Sequence, residues 1–145
     1  MTKKYYQSDK LAERIDWENI MKMSRCAGGH DDQMTGLLRD ATVIAHWNEG
    51  DYQGMVATCV KLNDTQEIVI YNDYYGSCSG CDAWEDSSDD NVKQMCRQLA
   101  CSAYIFKNIE DCKEFLNCPN VETSNDWTCG SCAGNLLKEI NETLV

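Results

Sequence analysis

Hydrophobic and polar positions alternate with two different rhythms along this chain. From Ser8 to about Met23, "SDKLAERIDWENIMKM" places Leu11, Ile15, Trp17, Ile20 and Met21 on one broad apolar stripe. That spacing predicts an amphipathic helix, with Ser8 or Asp9 as its cap. "AGGHDDQMTG" then reads as a loop punctuated by Gly28 and Gly29. From about Asp40 to Asp73 the period shortens to two. "ATVIAHW", "YQGMVATCVKL" and "EIVIYND" are rich in β-branched and aromatic residues and are separated by "NEGD" and "NDTQ". Three antiparallel strands in a meander are expected. Along the middle one, Met55, Ala57 and Cys59 share one face, and Val56, Thr58, Val60 and Leu62 share the other.

Helical spacing returns from Ser87 to about Phe106, where Val92, Met95, Cys96, Leu99 and Ala103 form a stripe and Ser87 with Asp90 makes a weak capping box. A short helix is expected from Ile109 to Leu116, stopped before Pro119. "NVETSNDWT" is irregular, and Leu136, Leu137, Ile140 and Leu144 mark a last helix. The expected fold is therefore α+β: a three-stranded antiparallel sheet with flanking helices, in one domain over residues 1–145. A chain of this length buries enough surface to fold without disulfide staples.

Composition narrows the chemistry. There is no apolar run long enough to span a bilayer, and "MTKKYYQSDK" lacks the apolar core of a secretory signal. A cytoplasmic protein is the expectation, and in a reducing compartment ten cysteines point to metal or buried thiols before disulfides. The formal net charge of −11 argues against direct nucleic-acid or anionic-membrane binding, both of which need a basic footprint.

Two motifs carry the sharpest signal. "CSGC" at 78–81 recurs as "CGSC" at 129–132. Tetrahedral zinc takes four thiolates at about 2.3 Å, and CxxC turns deliver them in pairs. Cys78, Cys81, Cys129 and Cys132 are therefore the expected ligands of a single structural metal site built from four cysteines. Four thiolates leave no open position for a catalytic water, and iron fits the same donors. The 47 intervening residues would make the metal a clasp between the C-terminal helix and the sheet. Such a site contributes on the order of 10 kcal/mol to folding. Thiol–disulfide exchange is the rival reading, because "WTCGSC" faintly resembles the active site of thioredoxin-like proteins. The only proline, Pro119, lies upstream of that motif, where that fold needs one downstream. Cys59 and Cys96 read as core thiols, while Cys26, Cys101, Cys112 and Cys118 have no diagnostic spacing. His46, in a strand, reads as packing, and His30 in "GHDD" stands without the further histidines that a metal-dependent phosphohydrolase site needs.

Between Leu62 and Val92 there is no lysine or arginine, and Asp82, Glu85, Asp86, Asp89 and Asp90 crowd behind the first CxxC. Asp89 and Asp90 suit the first turn of a helix. Asp82, Glu85 and Asp86 have no such role. All five are the expected partner-binding residues, around a Trp84 that either closes the core or anchors a partner.

"YGSCSGCDAWE" followed by "WTCGSC", in a short acidic chain, resembles the metal-containing anti-CRISPR proteins that inhibit type II Cas9 effectors, small proteins encoded by phages and mobile elements. The resemblance implies a stoichiometric inhibitor without enzymatic activity, acting in the bacterial cytoplasm. It would bind Cas9 at its recognition lobe or DNA-facing surface and hinder target-DNA loading. Only the two cysteine pairs are carried over from it. The alternatives are a different phage-type zinc-stabilised module directed at another host protein, and the thiol oxidoreductase.

Overall fold

The computed structural model describes residues 5–23, 34–49, 54–75, 89–117 and 132–143. Strand β1 (Tyr5–Tyr6) leads into a 3-10 helix (Asp9–Arg14) and helix α1 (Trp17–Met23). Strands β2 (Ala41–Asn48), β3 (Gly54–Leu62) and β4 (Ile68–Tyr75) follow, then α2 (Asp89–Ser102), β5 (Tyr104–Phe106), α3 (Ile109–Asn117) and α4 (Cys132–Thr143). All five strands form one antiparallel sheet in the order β1-β5-β4-β3-β2.

The three expected strands are β2, β3 and β4, and the meander is as the turns implied. Among the described residues the sheet nevertheless has five strands where three were expected. The helix expected to run from Ser87 to Phe106 ends at Ser102, and Tyr104–Phe106 becomes β5 between β4 and β1. Tyr-Ile-Phe is a poor helix end and a good strand, and all three residues are buried by pairing there. The Gln7 side chain donates to the Ser102 carbonyl at 3.0 Å, satisfying a helix-end acceptor from a segment far away in the chain. Tyr5 stacks with Tyr104, Phe106 and Phe115 at centroid distances of 4.8, 6.2 and 5.2 Å, which fixes the two-residue β1 to the edge.

The single N-terminal helix is also broken in two. Ser8 caps the 3-10 helix by accepting from the Lys10 amide, but Ile15 is extended and bridges Leu38. Asp16 then starts α1 afresh: its carboxylate accepts from the Asn19 amide at 3.1 Å and its carbonyl from the Ile20 amide at 2.9 Å. Of the expected apolar stripe, Leu11, Ile15 and Ile20 are buried and Trp17 is partly buried against the same core, while the Met21 side chain lies outside the described residues. A pairing 23 positions away in sequence, Ile15 with Leu38, interrupts the helix without disturbing the stripe.

Both faces of the sheet are covered, giving three layers. Val56, Val60, Leu62, Val69 and Tyr71 face the 3-10 helix, α1 and α2, meeting Leu11, Ile20, Val92, Cys96 and Leu99. Ala57, Cys59, Ile68 and Ile70 face α3 and α4, meeting Cys112, Phe115, Leu136 and Ile140. The two parities of β3 both being apolar is the sequence mark of a strand buried on both sides. A bulge between Val43 and Ala45 turns Ile44 and Ala45 toward the same core. The β3–β4 turn closes through Gln66, which is left-handed at φ 65° and donates its amide to the Leu62 carbonyl at 2.8 Å. Among the described residues, no helix is long and apolar enough to cross a membrane.

Candidate functional site

The two CxxC motifs adjoin elements of one core. Strand β4 pairs through Tyr75 with Gly54, and its chain end lies three positions before Cys78. Cys132 is the first residue of α4. Ile68 and Ile70 of β4 and Ala133, Leu136 and Ile140 of α4 belong to the same hydrophobic cluster. The segments bearing Cys78, Cys81 and Cys129, and the Cys132 side chain, lie outside the described residues, as does the expected four-cysteine metal centre. Among the described residues, no group of three or more His, Cys, Asp or Glu side chains is arranged to hold a metal. The first turn of α4 contains no acidic residue.

Of the five acidic candidates, Asp82, Glu85 and Asp86 lie outside the described residues. Asp89 opens α2, and Asp90 is exposed in its first turn. Sequence reasoning placed both there because a helix N-terminus stabilises negative charge. Helix α2 is seated on β4 and the 3-10 helix through Val92, Cys96, Leu99 and Ala100, so its start is held by a packed core.

A polar row crosses the opposite face of the sheet, the one covered by the N-terminal segments. His46, Thr58 and Tyr71 are register neighbours on β2, β3 and β4. His46 Nδ1 lies 2.9 Å from the Thr58 hydroxyl, and Thr58 is fully buried. The Tyr71 hydroxyl donates to the Met34 carbonyl, tying the segment after α1 to the sheet. Burial pushes the Tyr71 hydroxyl well up from its ordinary range. On α2, burial and then the negative charge of Asp73 push the Cys96 thiol up to about 12, against the opposing pull of Arg97. Cys96 is therefore a protonated core thiol at neutral pH and is unsuited to nucleophilic work. Arg97 lies over the Trp17 ring at 5.3 Å, which packs its charge on the outside of that layer.

A shallow cavity of about 330 Å³ lies where β1, the 3-10 helix and the β3–β4 turn converge. Leu11, Leu62 and Ile105 line it, with Tyr6, Lys10, Arg14 and Glu67 among its polar walls. Arg14 binds Asp64 at 2.5 Å, holding that carboxyl below the usual range, and the Tyr6 hydroxyl donates to Glu67. Burial, and then that Glu67 contact, push the Tyr6 hydroxyl up to about 12. Sequence reasoning missed this cavity because its walls come from segments far apart in the chain.

A second omission is chemically sharper. Cys59 of β3 and Cys112 of α3 are both fully buried and both free, they pack in one cluster, and Cys112 is the neighbour that, with burial, pushes the Cys59 thiol up. Cys59 was expected as a core thiol, and it is one, but nothing in the spacing paired it with Cys112. Compared with protein-family models, with curated proteins and with solved structures, the chain matches none.

Proposed function

We propose that this protein is a non-enzymatic binding protein, a zinc-clasped α+β scaffold that presents an acidic surface to a basic macromolecular machine. Following the resemblance of its CxxC segments, that partner is a Cas9 effector, whose nucleic-acid channel is basic. The observation that carries the reading is the continuity of the acidic run with a rigid element. The carboxylates at 82–90 lead directly into Asp89 and Asp90 at the start of α2, and α2 is packed on the sheet. Charge on a fixed element loses little entropy on binding. Four thiolates around a zinc dication add two negative charges beside the same segment, deepening the field.

Supporting the metal is the position of its four donors. One pair follows β4 and the other leads into α4, two elements whose apolar faces share a core. Zinc there would hold the two connecting segments in register.

The test is a pull-down of Cas9 by the tagged, reduced full chain, with zinc measured on the same sample. About one zinc per chain and salt-sensitive retention of Cas9 with loss of its DNA cleavage are expected. Replacing Asp82, Glu85, Asp86, Asp89 and Asp90 by their amides should abolish retention while leaving the melting temperature within a few degrees. Retention that is flat from low to high salt removes the charge from the account. Failure to retain Cas9, with zinc present, transfers the same scaffold to a different host target. Insulin reduction that is lost in Cys129→Ser without unfolding would assign an oxidoreductase instead.

A further inference from the structure

Strand β3 is an interior strand of the sheet, flanked by β2 and β4 and covered on both faces. Cys59 sits in its second half, level with Ala45 on one side and Ile70 on the other. Helix α3 turns Cys112, Phe115 and Leu116 inward against this face. Asn108 fixes the start of that helix, its side chain accepting from the Asp111 amide at 2.9 Å. The two cysteines are thus brought into one buried cluster from an interior strand and a separate helix, with neither exposed to solvent. The other described free cysteines cannot compete for either sulfur. Cys96 lies in the core on the opposite face, and Cys101 is exposed on α2.

We propose that Cys59 and Cys112 form an oxidation-sensitive pair, closing to a disulfide when the protein meets a hydroperoxide and bolting α3 to the centre of the sheet. One sulfur, as thiolate, attacks a peroxide oxygen; the O–O bond breaks, hydroxide leaves and takes up the thiol's proton, and a sulfenic acid remains. The second sulfur displaces hydroxide from the sulfenic sulfur, the S–S bond forms, and its own proton completes the second water. Two cysteines lose two electrons in all, and one hydrogen peroxide becomes two waters. Enclosure makes the pair slow and selective. A bulky disulfide oxidant cannot reach it, and peroxide enters when α3, a nine-residue helix below the length of independent stability, opens locally.

The experiment uses the intact reduced protein, treated with hydrogen peroxide under native conditions, quenched, denatured, alkylated and mapped by mass spectrometry. A peptide linking Cys59 to Cys112 is expected, forming faster in dilute urea that promotes opening of α3. The link closes a loop of residues 60–111, so the oxidised minus reduced shift in melting temperature should exceed that of Cys112→Ala by about 10 °C. Comparing each protein with its own reduced form removes the cost of the substitution and any loss of metal common to both. Cys59→Ala serves equally if Cys112→Ala folds poorly. Recovery of Cys59 and Cys112 as alkylated thiols after Cys101 has been oxidised would overturn the proposal. So would either sulfur linked to another cysteine, or equal shifts in the wild type and the variant.

Discussion

Replacing Leu136 by alanine separates two ways of holding α4: its own apolar face, or the thiolate clasp before it. Leu136 is fully buried in the cluster that joins α4 to β3 and α3. Alanine removes three carbons, worth about 2.4 kcal/mol at about 0.8 kcal/mol per buried group. The residual cavity, between the sheet and two helices, adds roughly 1 kcal/mol more. The expected loss is therefore about 3–4 kcal/mol, out of a total stability of about 5–15 kcal/mol. At about 2–4 °C per kcal/mol for a chain of this size, the melting temperature should fall by about 6–16 °C. The assay is urea unfolding followed by tryptophan fluorescence, with the variant and wild type each measured in zinc and in chelator. Ala133, Leu136 and Ile140 are buried by α4 itself, so the penalty should be the same in both media, even where, as the proposed metal site predicts, chelation lowers the stability of each protein. A penalty that disappears in chelator would mean that α4 leaves the sheet once the metal is gone. A penalty below about 1 kcal/mol in both media would mean that Leu136 is not in the core at all.

Other consequences follow from individual contacts. Tyr71→Phe leaves the Met34 carbonyl without its hydroxyl donor and should cost about 1–3 kcal/mol, read from the same urea curves. Alkaline pH should weaken the fold. The protonated Cys96 thiol is favoured in the folded state, so its contribution is fully present below 9.0 and lost as pH rises to about 12. That interval corresponds to on the order of 4 kcal/mol, and Cys96→Ala should flatten the decline; a stability that climbs from about pH 9 to 11 contradicts the assignment. Arg14→Ala, by contrast, should leave stability nearly unchanged because its partner Asp64 is exposed. Its clearer signature is the Asp64 carboxyl titrating at a higher pH in the variant, measured by NMR, since the guanidinium that lowers it is gone.

The residues most reliably read from the chain are those whose neighbours are local. The β2–β3–β4 meander depended on two short turns and on period-two patterning, and α3 on a few inward residues and the nearby Pro119. The acidic opening of α2 was visible for the same reason, because a helix dipole acts within one turn. The likeness between the two CxxC segments is equally plain in the sequence, although their sulfurs lie outside the described residues.

What the chain concealed are outcomes decided by partners far away in sequence. "YIF" continues a helical stretch on paper, yet β4 and β1 draw it into the sheet, because pairing satisfies its backbone and buries three large side chains at once. Ile15 keeps its place on a helical stripe, yet Leu38 extends it. Cys59 and Cys112 are two ordinary positions until β3 and α3 bring their thiols together. Periodicity records which side of an element is apolar, a property each residue carries with it. Which apolar sides meet is settled only when the three layers close, and the choice belongs to the packing of the whole.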